Sequence, residues 1–149
     1  MRFTLDTNVL VSAFIARHGH SANLLELALT LESIELILSE TILRELEDVL
    51  TGDEVRERFS YTHQDVRKRV SALRKSAIIV PVRSRCKVVK EDPKDNIVLN
   101  TAYDGKAHYI VSGDKHLLKV RRFKGIRVVN PKQMMDIISK EFSVFVLRS

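Results

Sequence analysis

One cysteine, Cys86, stands in a chain of 149 residues, so no disulfide forms within it. Such usage fits a reducing compartment, and a cytoplasmic protein is the expectation. No apolar run approaches the roughly 18 residues that a bilayer crossing needs, which argues against a membrane-spanning helix. The opening stretch MRFTLD passes at once into a strand-like pattern, without the layout of a signal peptide. Glycines number five and are scattered, and no Gly-rich loop of the kind that cradles nucleotide phosphates is present. His18 and His20 lie two apart in RHGH, without the Cys or His pairs of a structural zinc site. Cys86 sits in a basic run, RSRCKVV, with no histidine nearby in sequence to serve a catalytic thiol. Repeats, low-complexity segments and composition breaks are also missing, so residues 1–149 read as a single domain.

What is present is an ordinary globular composition, 44% apolar, in a length that buries a sizeable core. The formal charge is +6 but unevenly spread. Between Arg56 and Lys90, eleven Lys/Arg face two acids, Glu57 and Asp65; that segment carries +9 and the remainder −3. A basic surface beside an acidic one suits a polyanionic ligand.

Short apolar runs alternate with helical patterns. RFTL (2–5), IELIL (34–38), AIIVPV (77–82), YIV (109–111) and IRVV (126–129) read as strands. Segments 8–15, 21–31, 40–50, 63–76, 93–105 and 131–142 read as helices, with 51–62 an irregular helical link. Ser21 and Ser39 suit N-caps, Pro93 and Pro131 suit first helical positions, and Gly105 suits a helix stop. This alternation predicts a parallel sheet with helices on both faces. The final FSVFVLRS (142–149) is apolar and strand-like, and reads as an edge strand or a subunit contact.

In open α/β sheets, ligands collect beyond the carboxyl ends of the strands. Asp6 follows the first strand and Asp114 the fourth, in YIVSGDKHLL. Asp92 and Asp95 open the helix before that strand, in KEDPKDN, and Glu45 lies within the helix after the second strand. Each has a bland reading: Asp6, Asp92 and Asp114 sit where helix caps belong, and acids in a first turn complement the helix dipole. Gathered at one end of one sheet, however, they repel one another unless a cation neutralises them. Carboxylates with neutral oxygens from Asn8 and Ser112 suit Mg²⁺ or Mn²⁺.

LDTNVLVSAF, SETILRELEDVL, DPKDNIVLNTA and YIVSGDKHLLKV together resemble the PIN-domain ribonuclease family, in order and spacing, from residue 3 to about 138. Within it, the chain is most similar to small prokaryotic toxins of toxin–antitoxin pairs. The resemblance implies an α/β/α sandwich around a parallel five-stranded sheet in the order 3-2-1-4-5, with strands one and four adjacent. It places the metal-binding, catalytic acids on Asp6, Glu45, Asp95 and Asp114, and supporting polar positions on Asn8 and Ser112. It further implies Mg²⁺- or Mn²⁺-dependent RNA hydrolysis leaving a 5′-phosphate and a 3′-hydroxyl, an antitoxin partner and a homodimer. Arg67, Lys68, Arg74, Lys75 and Lys115 become candidate RNA contacts on that reading, and Arg83, Arg85, Lys87 and Lys90 follow the third strand.

Three rivals meet the same residues. A haloacid-dehalogenase phosphatase needs a second acid two residues after Asp6, where Asn8 stands. A phosphoryl-receiver domain wants an acidic pair near the first strand's end, where TLDTN offers one acid. A non-catalytic PIN-like scaffold that binds RNA or a partner is the alternative the sequence leaves open, since ligands alone do not establish catalysis.

Overall fold

A computed structural model describes residues 1–16, 18–89 and 93–148, with side chains described outside 93–95 and 143–148. Its elements run β1 (Arg2–Leu5), α1 (Thr7–Ile15), α2 (His20–Thr30), β2 (Glu35–Leu38), α3 (Glu40–Leu50), α4 (Asp53–Arg58) and α5 (His63–Ser76). They continue with β3 (Ile78–Ile79), α6 (Pro93–Asp104), β4 (Tyr109–Val111), α7 (Lys115–Val120), β5 (Arg122–Phe123), β6 (Ile126–Val129) and α8 (Pro131–Arg148). The sheet order is β3-β2-β1-β4-β6-β5, and every pairing but the last is parallel.

Consecutive strand residues are buried: Phe3, Thr4 and Leu5 in β1, and Leu36, Ile37 and Leu38 in β2. With side chains pointing alternately to opposite faces, this means both faces are covered, as a parallel sheet requires. Helix α3 shows how the cover is made. Ser39 caps it by accepting from the Ile42 amide, and Ile42, Leu43, Leu46 and Leu50 bury one stripe.

The expected 3-2-1-4-5 order holds if IRVV is the fifth strand, but the sheet is six-stranded and mixed. Lys124 and Gly125, at φ +49° and +83°, make a two-residue hairpin that lays Arg122–Phe123 antiparallel on β6. Two left-handed residues in succession match the twist of a tight hairpin. The run 77–82 supplies only two strand residues; Val80 still donates to the Leu38 carbonyl, and then Pro81, without an amide hydrogen, ends the ladder. The edge strand considered for 142–149 does not form, because α8 runs on to Arg148. Helix α2 begins at His20 with Gly19 in the cap position, so Ser21 lies inside it rather than capping it.

Gly105 does follow the end of α6, but the left-handed residue there is Lys106, at φ +54°. The Lys106 amide donates to the Tyr103 carbonyl and the Ala107 amide to that of Ala102, the paired bonds of a Schellman cap. A non-glycine residue there carries backbone strain, and Lys106 is exposed. Lys106→Gly is therefore expected to raise stability by about 0.5–1 kcal/mol in a chemical-denaturation titration.

Candidate functional site

The carboxyl ends of β1 and β4 lie side by side, where the chain winds away in opposite directions. The Asp6 amide donates to the Val111 carbonyl at 2.9 Å, pinning the exit of β1 to the end of β4. Asp6 is 6% exposed and is the N-cap of α1. Its Oδ1 accepts from the Thr7 amide at 2.8 Å and its Oδ2 from the Ser112 hydroxyl at 2.7 Å.

The two residues that donate to this carboxylate, Ser112 and Thr7, link it to its neighbours. Ser112 Oγ accepts from the Asp114 amide at 3.0 Å, and Asp114 caps α7 by accepting from the His116 amide at 2.7 Å. Thr7 Oγ1 donates to Glu45 Oε2 at 3.2 Å, tying α1 to α3. Burial pushes the Asp6 carboxyl above its ordinary 3.8; the bonds from Ser112 and Thr7 pull it down, and the negative charges of Glu45 and Asp114 raise it further.

Asp6, Glu45, Asp114 and Ser112 are thus connected by hydrogen bonds through Thr7 and Ser112. Asn8 lies exposed in the first turn of α1. Asp95 is the third residue of α6, and its side chain, like Asp92 as a whole, lies outside the described residues. Among the described residues, no three His, Cys, Asp or Glu side chains approach closely enough to form a ready-made metal cluster. The donor chemistry nevertheless fits a hard divalent ion: oxygen only, one carboxylate desolvated, two more carboxylates raising its pKa.

Sequence reading passed over Thr7, whose buried hydroxyl orients Glu45. It also passed over Asn96, Asn100 and Asp104, which recur at four-residue spacing on one face of α6. That period was legible; its purpose was not. Of the basic candidates, Arg74 forms a two-bond pair with Glu40, at 3.0 and 3.2 Å, and Arg67 lies 3.7 Å from Glu47. Lys68, Lys75 and Lys115 are exposed, and none of the three has an ion-pair partner among the described residues.

Residues 2–116, a span holding Asp6, Glu45, Asp95 and Asp114, match a family model described as PIN domain. An uncharacterized protein of Methanocaldococcus jannaschii is 28% identical over 142 residues, covering 95% of this chain and 89% of that protein. Two solved structures share the fold at low identity. A chain of VapBC2 from Rickettsia felis, bound to a DNA fragment from their promoter, aligns with TM-score 0.59 at 15% identity, covering 87% of this chain and 98% of that one. A chain of VapBC-1 from nontypeable Haemophilus influenzae aligns with TM-score 0.61 at 14% identity, covering 89% and 99%.

Proposed function

Because this chain belongs to the PIN-domain family, we propose that it is a metal-dependent ribonuclease that hydrolyses RNA phosphodiester bonds and acts as the toxin of a toxin–antitoxin pair. The observation that supports this most is the buried Asp6 carboxylate, joined through Ser112 and Thr7 to two further acids at the sheet's switch point.

Asp6, Glu45, Asp95 and Asp114 would hold Mg²⁺ or Mn²⁺. Such an ion supplies Lewis acidity toward phosphoryl oxygen and water. The chain's own residues do the positioning. Ser112 fixes the Asp6 carboxylate and the Asp114 backbone together, and Thr7 fixes Glu45. Glu45 is half-buried, a suitable place from which to orient an attacking water. Asn8, exposed beside Asp6 in the chain, offers an amide oxygen to the ion or to substrate. A cytoplasmic setting follows from the cysteine usage; the toxin role, the antitoxin partner and the homodimer extend this reading. They rest on the toxin-branch resemblance, supported by the fold shared with chains of the VapBC structures.

A specific test of the ion is thermal. A divalent ion that binds only the folded chain, present at tenfold its Kd, adds about 1.4 kcal/mol of stability. For a domain of this size that is roughly 3–6 °C in melting temperature. Mn²⁺ is expected to produce that rise and a chelator to reverse it; an unchanged melting temperature across the titration counts against the metal.

One observation favours the scaffold reading instead: Asp6 and Asp114 each already accept a helix-cap hydrogen bond. RNA binding with no turnover in Mg²⁺ or Mn²⁺ would establish that alternative, and metal-dependent turnover would remove it.

A further inference from the structure

Between β3 and α6, residues 83–89 form no helix or strand, yet five of their backbone amides donate to side chains of α6. They run antiparallel to α6, tied by the three polar residues on its face. Asp104 accepts from the Arg83 and Ser84 amides at 2.7 and 2.9 Å and from the Ser84 hydroxyl. Asn100 accepts from the Cys86 amide at 3.0 Å and donates to its carbonyl at 3.2 Å. Asn96 accepts from the Val88 and Val89 amides at 3.0 and 2.9 Å and donates to the Val89 carbonyl at 2.8 Å. Spaced four residues apart, the three positions share one helix face; Asn100 pairs with the amide and carbonyl of Cys86 as a neighbouring strand would, while Asp104 and Asn96 each bind two consecutive amides.

The consequence is an alternation. Ser84 and Cys86 are half-buried, while Arg83, Arg85 and Lys87 are exposed. None of the three cations forms an ion pair among the described residues. In an extended backbone, alternate residues recur about 6.6 Å apart on one side, comparable to a nucleotide step in an extended strand. A recess of about 670 Å³ beside the strap is lined by Arg85, Lys87, Thr41, Asn96 and Asn100, with no acid among its lining residues. Thr41 lies in the first turn of α3, whose next turn carries Glu45, and the strap points toward the N-terminal turn of α6, where Asp95 stands. On α5, by contrast, Arg67 and Arg74 are paired to Glu47 and Glu40, which leaves Lys68 and Lys75 as its exposed cations without an ion-pair partner among the described residues.

We infer that the strap 83–89 is the track along which a single RNA strand lies, Arg83, Arg85 and Lys87 each meeting a backbone phosphate, and that it feeds the acids at the switch point. This rests on the proposed ribonuclease reading for the identity of the polyanion, but binding and cleavage are separable. Cations carried on a hydrogen-bonded backbone spare the cost of ordering the loop on binding. An extended row favours an unpaired strand over a duplex.

Cys86, the chain's one cysteine, is partly exposed and lines the same recess as Arg85 and Lys87, so its alkylation reports occupancy of that recess. The full chain, in chelator to prevent turnover, is treated with iodoacetamide with and without oligouridylate. RNA is expected to slow alkylation of Cys86, less so as salt rises. In parallel, Arg83→Gln/Arg85→Gln/Lys87→Gln is expected to flatten the salt dependence of RNA affinity by about two, at roughly 0.7 per lost phosphate contact. Arg67→Gln/Lys68→Gln/Lys75→Gln on α5 should change that slope far less. Circular dichroism confirms that both variants fold. Unprotected Cys86 at saturating RNA, equal protection by polyglutamate or by duplex RNA, or a larger loss in the α5 variant would each overturn the inference. Protected Cys86 in a protein that never cleaves RNA would keep the track and remove the ribonuclease reading.

Discussion

Asp6→Asn is expected to reduce metal-dependent RNA cleavage by on the order of a hundred- to a thousandfold while leaving the metal-free protein at least as stable at neutral pH. The two halves come from the same environment. A carboxylate that helps hold a divalent ion contributes several kcal/mol to charge stabilisation in the transition state, and each 1.36 kcal/mol is tenfold in rate. Without the ion, the same carboxylate is buried and repelled by Glu45 and Asp114, which is why its pKa rises. A raised carboxyl pKa means that the folded chain holds this proton more firmly than the unfolded chain. Stability from this group is therefore present below 3.8 and lost as pH climbs through the raised value. Asparagine removes that loss and keeps an oxygen for the Thr7 amide. Cleavage of labelled RNA in Mn²⁺, set beside metal-free melting curves, reads both. Wild-type cleavage by the variant would sink the site, and a large drop in melting temperature would mean that Asp6 is chiefly a structural cap.

Gly105→Ala should be among the most damaging single-methyl changes in the chain. A Cβ there would meet Ile37 Cγ2 at 2.2 Å, Val80 Cγ2 at 3.0 Å and the Thr101 carbonyl at 3.1 Å. Ile37 is fully buried in β2 and branched at Cβ, which restricts the rotamers it could retreat into. The Thr101 oxygen belongs to the backbone of α6 and accepts from the Gly105 amide itself. Overpacking of this kind costs about 1–3 kcal/mol, and a contact this deep belongs at the upper end. The expected fall in melting temperature is roughly 6–12 °C. Gly113→Ala is the control: nothing lies within 4 Å of the added Cβ, so a change within about 0.5 kcal/mol is expected. Equal melting of the two variants would contradict the packing described for α6 against β2.

Glycine 105 also shows where reading a sequence stops. Its place after a helical pattern correctly marked the end of α6. The reason proved different, because Lys106 takes the left-handed turn and the glycine makes room for Ile37. Local pattern locates a break; only packing says what the break is for. The C-terminal residues fail for a related reason. FSVFVL has the β-branched and aromatic content of a strand, but α8 is already running into it, with Met134 and Ile138 buried a turn apart. Adding a residue to an existing helix is easier than starting a strand, and the tail forms none. At β5, two residues are too few to show any period, so the K-G turn passed unread.

The sequence alone determined the alternation of strand and helix, and it placed Asp6 and Asp114 just beyond strand ends. Both are local properties, written in periods of two and 3.6 residues. Only the tertiary structure decided that Thr7 reaches Glu45 across 38 positions, that Ser112 binds Asp6 across 106, and that a strap without regular structure is fixed along α6. Those contacts depend on the order in which parallel strands pack, which no window of neighbouring residues contains.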